Sequence, residues 1–99
     1  MKPCKPKIPA VLEPAGDFAA LLSGARERED EIEYLRIQGV RAAGADAHKL
    51  DFTGVEFDHC RLNGCVFDKS GFVDVRFRDC DFSGCSFADA YFSRCEFLS

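Results

Sequence analysis

Two imidazoles and six thiols are the groups in this 99-residue chain best suited to chemistry. His48 and His59 are its only histidines. A histidine works as a general base when a carboxylate orients one ring nitrogen and a nucleophile meets the other. Cys4, Cys60, Cys65, Cys80, Cys85 and Cys95 are candidate nucleophiles, disulfide partners or metal ligands. Zinc is disfavoured, because the chain has neither a Cys-x-x-Cys pair nor a Cys/His spacing of the zinc-site kind. A disulfide framework belongs to an oxidising compartment. Residues 1–20 instead hold Pro3, Pro6, Pro9 and Pro14 and no continuous apolar run of a signal peptide. No segment approaches the ~18 apolar residues of a membrane span. The expectation is a cytoplasmic chain with free thiols, no metal and no cofactor.

Five of the cysteines fall at positions divisible by five, and that rhythm belongs to the element that must position them. Phe52, Phe57, Leu62, Phe67, Phe72, Phe77, Phe82, Phe87, Phe92 and Phe97 keep one unbroken period of five, and only Phe18 of the ten phenylalanines lies outside it. A period of five is neither helical nor that of an alternating strand, so it marks a repeat architecture. Two residues before each centre runs a column of small or aliphatic residues: Leu50, Val55, Cys60, Cys65, Ser70, Val75, Cys80, Cys85, Ala90 and Cys95. The frame extends upstream through Ile37, Ala42 and Ala47, giving thirteen pentapeptides from Leu35 to Ser99. Before them, a Pro-punctuated lead-in reaches Asp17, which reads as the N-cap of a short helix from Phe18 to about Arg28. The division is residues 1–34, lead-in and helix, and residues 35–99, the repeat.

Charge narrows the partners. The formal net charge is −4. Residues 1–49 carry eight acids and eight bases, and residues 50–99 nine acids and five bases. A nucleic-acid-binding surface needs a basic stripe, and none is visible.

Segments such as Cys80-Asp81-Phe82-Ser83-Gly84 and Ala90-Tyr91-Phe92-Ser93-Arg94 resemble the unit of the pentapeptide-repeat family. The resemblance implies an all-β solenoid, a right-handed quadrilateral β-helix of about three coils. Each unit makes one side of a square and twenty residues make one coil. The centre and the residue two before it point inward, and the short N-terminal helix serves as a cap.

Twenty-residue coils make stacking explicit. Phe52, Phe72 and Phe92 form one interior ladder, and Phe57, Phe77 and Phe97 another above Ile37. Leu62 and Phe82 continue the column of Ala42; Phe67 and Phe87 continue that of Ala47. The end holding Ala42 and Ala47 is thin, and Phe18, Leu21 and Leu22 are the candidates to fill it. Cys60 lies under Cys80 and Cys65 under Cys85, as small core residues; Cys4 in the lead-in is a candidate exposed thiol. Outside, Arg36, Glu56, Arg76 and Glu96 alternate in sign, and Asp58 lies under Arg78, His48 under Asp68, Lys69 under Asp89 and Asp74 under Arg94. Opposite charges one strand apart attract by roughly 0.2–1 kcal/mol each. His48 near Asp68 resembles an oriented base without a nucleophile, so no catalytic residue is expected.

Val73 and Tyr91 fall on the same side, and Phe97 and Leu98 belong to the last unit; these four make the candidate interaction patch. With the repeat stopping in mid-rhythm, the expectation is a homodimer joined through the C-terminal coil end or a fragment of a longer chain. The function expected is a non-enzymatic protein-interaction or scaffold module, without nucleic acid or membrane as partner. The alternative, implied by the family, is a DNA-mimicking inhibitor or protector of a type II topoisomerase such as gyrase. A tower of about 15 Å, from strands ~4.8 Å apart, is short for that role.

Overall fold

A unit of five residues suffices for three extended residues and a corner, and the corner sets the path. In the computed structural model, which describes residues 8–9, 11–14, 16–28 and 31–98, every fifth residue from Tyr34 to Arg94 has positive φ. Glycine fills five of these corners, while Lys49, His59, Lys69, Asp74 and others take the same left-handed conformation with side chains attached. A left-handed residue costs an L side chain roughly 1–2 kcal/mol, so the cross-coil pairing must outweigh a recurring strain.

The elements in chain order are β1 (Glu13–Pro14), α1 (Phe18–Arg28), β2 (Ile32–Glu33), β3 (Leu35–Gln38), β4 (Asp51–Thr53), β5 (Glu56–Asp58), β6 (Gly71–Val73), β7 (Arg76–Arg78), β8 (Tyr91–Ser93) and β9 (Glu96–Leu98). All strand pairing is parallel, in two sheets of order β1-β3-β5-β7-β9 and β2-β4-β6-β8. From β2 onward each residue pairs with the one twenty positions later, Phe52 with Phe72 and Phe57 with Phe77 among them. The two remaining sides are joined by single bridges, Arg41 to Arg61 to Asp81 and Asp46 to Val66 to Ser86. There the chain turns through hydrogen bonds three residues long, Cys65 N to the Leu62 carbonyl at 3.3 Å and Cys85 N to the Phe82 carbonyl at 3.0 Å. The result is a β-helix solenoid of four-sided path.

Its interior is filled by side chains. Phe52, Phe57, Phe67, Phe72, Phe77, Ile37 and Leu62 are fully buried. The rings stack as the period requires: Phe52 on Phe72 at 5.1 Å, Phe72 on Phe92 at 5.0 Å, Phe57 on Phe77 at 5.0 Å, Phe77 on Phe97 at 4.7 Å and Phe67 on Phe87 at 5.2 Å, all within 13° of parallel. Neighbouring columns meet edge-on or tilted, as between Phe77 and Phe82 at 80°. Burying such a ring stabilises by roughly 1.5–3 kcal/mol.

The pairing also reaches into the segment read from sequence as lead-in. Ile32 is buried and pairs with Phe52, one unit upstream of Ile37. Glu13 and Pro14 pair with Leu35 and Arg36, and Leu12 beside them is buried. Asp17 caps α1 by accepting from the amides of Ala19 at 2.9 Å and Ala20 at 3.3 Å. Phe18, Leu22 and Ala25 of α1 are buried in the cluster that holds Ala47 and Phe52, and Leu21 packs against it. Among the described residues, no helix is long and apolar enough to cross a membrane. Cys4 lies outside the described residues.

Candidate functional site

Phe82, Phe87, Phe92 and Phe97 are the last centres of the four sides, and each is incompletely covered. Phe92 is 41% exposed and Phe97 60%, with Leu98 at 40% and Tyr91 at 62%; Phe82 and Phe87 are half-buried. Within the described residues β8 pairs only with β6 and β9 only with β7, so one edge of each strand is unpaired. Cys80, Cys85 and Cys95 share this end and are half-buried, while Cys60 and Cys65 one coil below are buried. Phe77, Cys80, Phe97 and Leu98 line a recess of about 320 Å³.

The four patch residues read from sequence divide between two sheets. Tyr91 lies opposite Gly71, and Val73 opposite Ser93, on neighbouring strands; Val73 is half-buried. Phe97 and Leu98 lie on β9 of the other sheet. The apolar surface therefore centres on the coil end, with Tyr91 at its rim. Sequence reasoning placed Phe92 in the core by its column; among the described residues its ring stacks on Phe72 and is left partly exposed.

The thiols do more than fill space. Cys60 Sγ donates to the Ile37 carbonyl at 3.2 Å, Cys65 to Ala42 at 3.2 Å, Cys80 to Phe57 at 3.4 Å, Cys85 to Leu62 at 2.6 Å and Cys95 to Phe72 at 3.2 Å. Ser70 does the same to the Ala47 carbonyl at 2.6 Å and also accepts from Leu50 N at 3.2 Å. Each donor meets the centre residue twenty-three positions earlier, so this column supplies one small hydrogen-bond donor per corner. All five described cysteines are free. The Cys80 thiol one coil above draws the Cys60 thiol down to about 7 against the effect of burial. The same contact, with burial, pushes Cys80 up. Burial raises Cys85 and Cys95 as well.

The outer charges partly follow the sequence reading. Glu56 Oε1 lies 3.3 Å from Arg36, Glu56 Oε2 3.2 Å from Arg76, and Arg76 Nε 3.0 Å from Glu96, a continuous ladder across four strands. Arg94 forks onto Asp74 at 2.6 and 2.8 Å. Asp58 and Arg78 do share a register, but the carboxylate meets His59 Nδ1 at 2.6 Å instead, while His59 Nε2 lies 3.3 Å from Asp79. No ion pair joins Lys69 to Asp89 among the described contacts.

His48 is not oriented by Asp68. Its Nδ1 lies 2.6 Å from Asp46 Oδ1, two residues away, and its amide donates to the same oxygen at 3.1 Å. This short local turn outcompetes the cross-coil partner. Asp46 is held below the usual carboxylate range, chiefly by the His48 side chain. Arg26 of α1 reaches over the pair, donating to the carbonyls of Asp46 at 3.0 Å and His48 at 3.2 Å. Asp68 accepts from the Ser86 hydroxyl and from Ala88 N. His48, Lys49, Val66 and Lys69 help line a recess of about 370 Å³. Neither nitrogen of His48 meets a hydroxyl or a thiol among the described contacts. The described residues contain no group of three or more His, Cys, Asp or Glu that could hold a metal ion.

A search of curated proteins returned no match to the chain. Residues 52–96, the stretch carrying the ring ladders and the thiol column, match the family model for pentapeptide repeats in nine copies, and the chain carries pentapeptide repeats over that stretch.

Proposed function

We propose that this β-helix is a non-enzymatic protein-interaction or scaffold module, and that its site is the end bearing Phe92, Phe97 and Leu98. The observation that carries the reading is the exposure of these apolar side chains beside unpaired strand edges. Exposed rings and free backbone groups on one face mark an interaction surface. In this reading the coils are right-handed and about three in number, α1 caps the opposite end, and the protein works in the cytoplasm.

The occupant we assign is a second copy of the chain. Stacking two such ends continues both ring columns and hides the same surface twice, the geometry of a two-fold interface. A specific interface of this kind buries about 1,200–2,000 Å² in total. Light scattering across a concentration series tests this. A mass of twice the chain, reverting to one on Phe97→Asp, is the expected result. A monomer at the highest concentration, with cooperative unfolding, overturns it.

The acid excess of the repeat half favours a second reading, a DNA-mimicking inhibitor or protector of gyrase. Pairing of Glu56, Glu96 and Asp74 with arginines weighs against it, because DNA presents uniform negative charge. A supercoiling assay separates the two: inhibition at sub-micromolar protein establishes the second reading.

A further inference from the structure

We propose that Cys60 and Cys80 form a two-coordinate site for a soft monovalent cation of the copper(I) or silver(I) class. The two thiols occupy one column on successive coils, since Asp81 N donates to the Cys60 carbonyl at 2.9 Å. They also share a rotamer. Cys60 Sγ lies 3.2 Å from the Ile37 carbonyl and 3.5 Å from that of Asp58. Cys80 Sγ lies 3.4 and 3.3 Å from the carbonyls of Phe57 and Arg78, the same acceptors moved on by twenty residues. The sulfurs are therefore separated by about one strand spacing, ~4.8 Å. That is far from the ~2.05 Å of a disulfide. It matches two metal–sulfur bonds of about 2.3 Å each set opposite one another.

Softness fits as well. Thiolates select copper(I) over harder cations, and two opposed sulfurs suit a two-coordinate ion, whereas zinc takes four ligands. His59, Cys60, Arg61, Asp79, Cys80 and Asp81 line a recess of about 330 Å³ beside the pair. On binding, both S–H bonds break, two metal–sulfur bonds form and two protons leave to solvent. The bis-thiolate unit carries one net negative charge, and Arg61 is among the residues that line the adjoining recess. Cys65 and Cys85 repeat the spacing, but the Cys85 thiol is held at 2.6 Å by the Leu62 carbonyl.

The experiment is an anaerobic titration of the folded protein with copper(I) against a chromogenic chelator, in a Cys4→Ser background. One ion per chain is expected, with affinity falling as pH is lowered because protons are released. Cys60→Ser and Cys80→Ser, which keep a hydrogen-bond donor, should each lose more than the ~10–100-fold that an outer contact is worth. Cys65→Ser should bind as the parent does. Should Cys60→Ser not fold, Cys80→Ser at the open end carries the test alone. Retention of binding in Cys80→Ser, equal loss in Cys65→Ser, or zinc binding of comparable strength overturns the proposal.

Discussion

At the scale of single residues, the inward small position decides whether a buried carbonyl is satisfied. Ser70 is the clearest case, because its hydroxyl sits between the Ala47 carbonyl and the Leu50 amide, closing a turn that elsewhere closes directly, as between Ser70 N and Phe67. Ser70→Ala leaves both groups unpaired in the core and should cost about 1–3 kcal/mol in chemical unfolding. Ser70→Cys keeps a donor of the type found at Cys65 and should cost less. The sequence displayed the column but not its polarity, because a thiol reads as a small hydrophobe until its acceptor is located. Asp81 offers a second residue-level test. The Ser83 hydroxyl at 2.6 Å is the first cause of its lowered carboxyl, with the Ser83 amide and Asn63 adding to it. A depressed native value stabilises the fold above the ordinary 3.8, and that contribution is lost as pH falls through the native value. Ser83→Ala should move the Asp81 titration upward in carbon-detected NMR, and its stability deficit should be present at neutral pH and fade in acid.

At the scale of elements, strands of three residues hold because each is paired with a neighbouring coil and locked by its corner. The ring ladders were legible in the sequence, since nothing but stacking keeps phenylalanine at every fifth position. β1 was not legible, because Glu13 and Pro14 carry no period and gain their place from the edge of β3. Ile32 was missed for a related reason: the charged residues around it masked one apolar centre. The left-handed corners at Lys69 and Asp89 were equally hidden, since glycine alone advertises positive φ. Their strain is measurable. At Gly84, φ is +72° and an added Cβ meets the Gly64 backbone at an ordinary 3.7 Å, so Gly84→Ala should cost about 1 kcal/mol from conformation alone. Lys69→Gly, in the same geometry, should stabilise by roughly 0.5–1 kcal/mol in the same denaturant assay. The ladder through β3, β5, β7 and β9 makes an element-level prediction too. Arg76 joins Glu56, which is nearly buried, to Glu96. Arg76→Ala should destabilise by about 1–2 kcal/mol, less than breaking a fully buried pair because Arg76 is partly solvated, and the deficit should shrink in high salt.

At the scale of the whole molecule, the two ends of the solenoid differ in how their apolar side chains are covered. Phe18, Leu22 and Ala25 of α1 pack into the cluster around Ile37 and Ala47, while the rings of Phe92 and Phe97 remain open. The sequence pointed to Tyr91 because it shares an outward side with Val73, and to Phe97 and Leu98 because they belong to the last unit. It passed over Phe92, whose column alone looks interior, and it set Val73 on an equal footing although its strand is covered on both edges by β4 and β8. The thiols turn this asymmetry into an assay that needs no label. Cys80, Cys85 and Cys95 are part of the open end, whereas Cys60 and Cys65 lie a coil deeper with no exposed surface. If a second copy seats on that end, alkylation by iodoacetamide, mapped by peptide mass, should slow at Cys80, Cys85 and Cys95 as protein concentration rises. Cys60 and Cys65 should stay slow throughout. Phe97→Asp, by placing a charge at the centre of the contact, should remove the concentration dependence while leaving the deeper pair protected, which separates loss of the interface from loss of the fold. Rates at the three end thiols that do not change from micromolar to millimolar protein would mean that the end stays open to solvent, and the second copy would then have to be abandoned as its occupant.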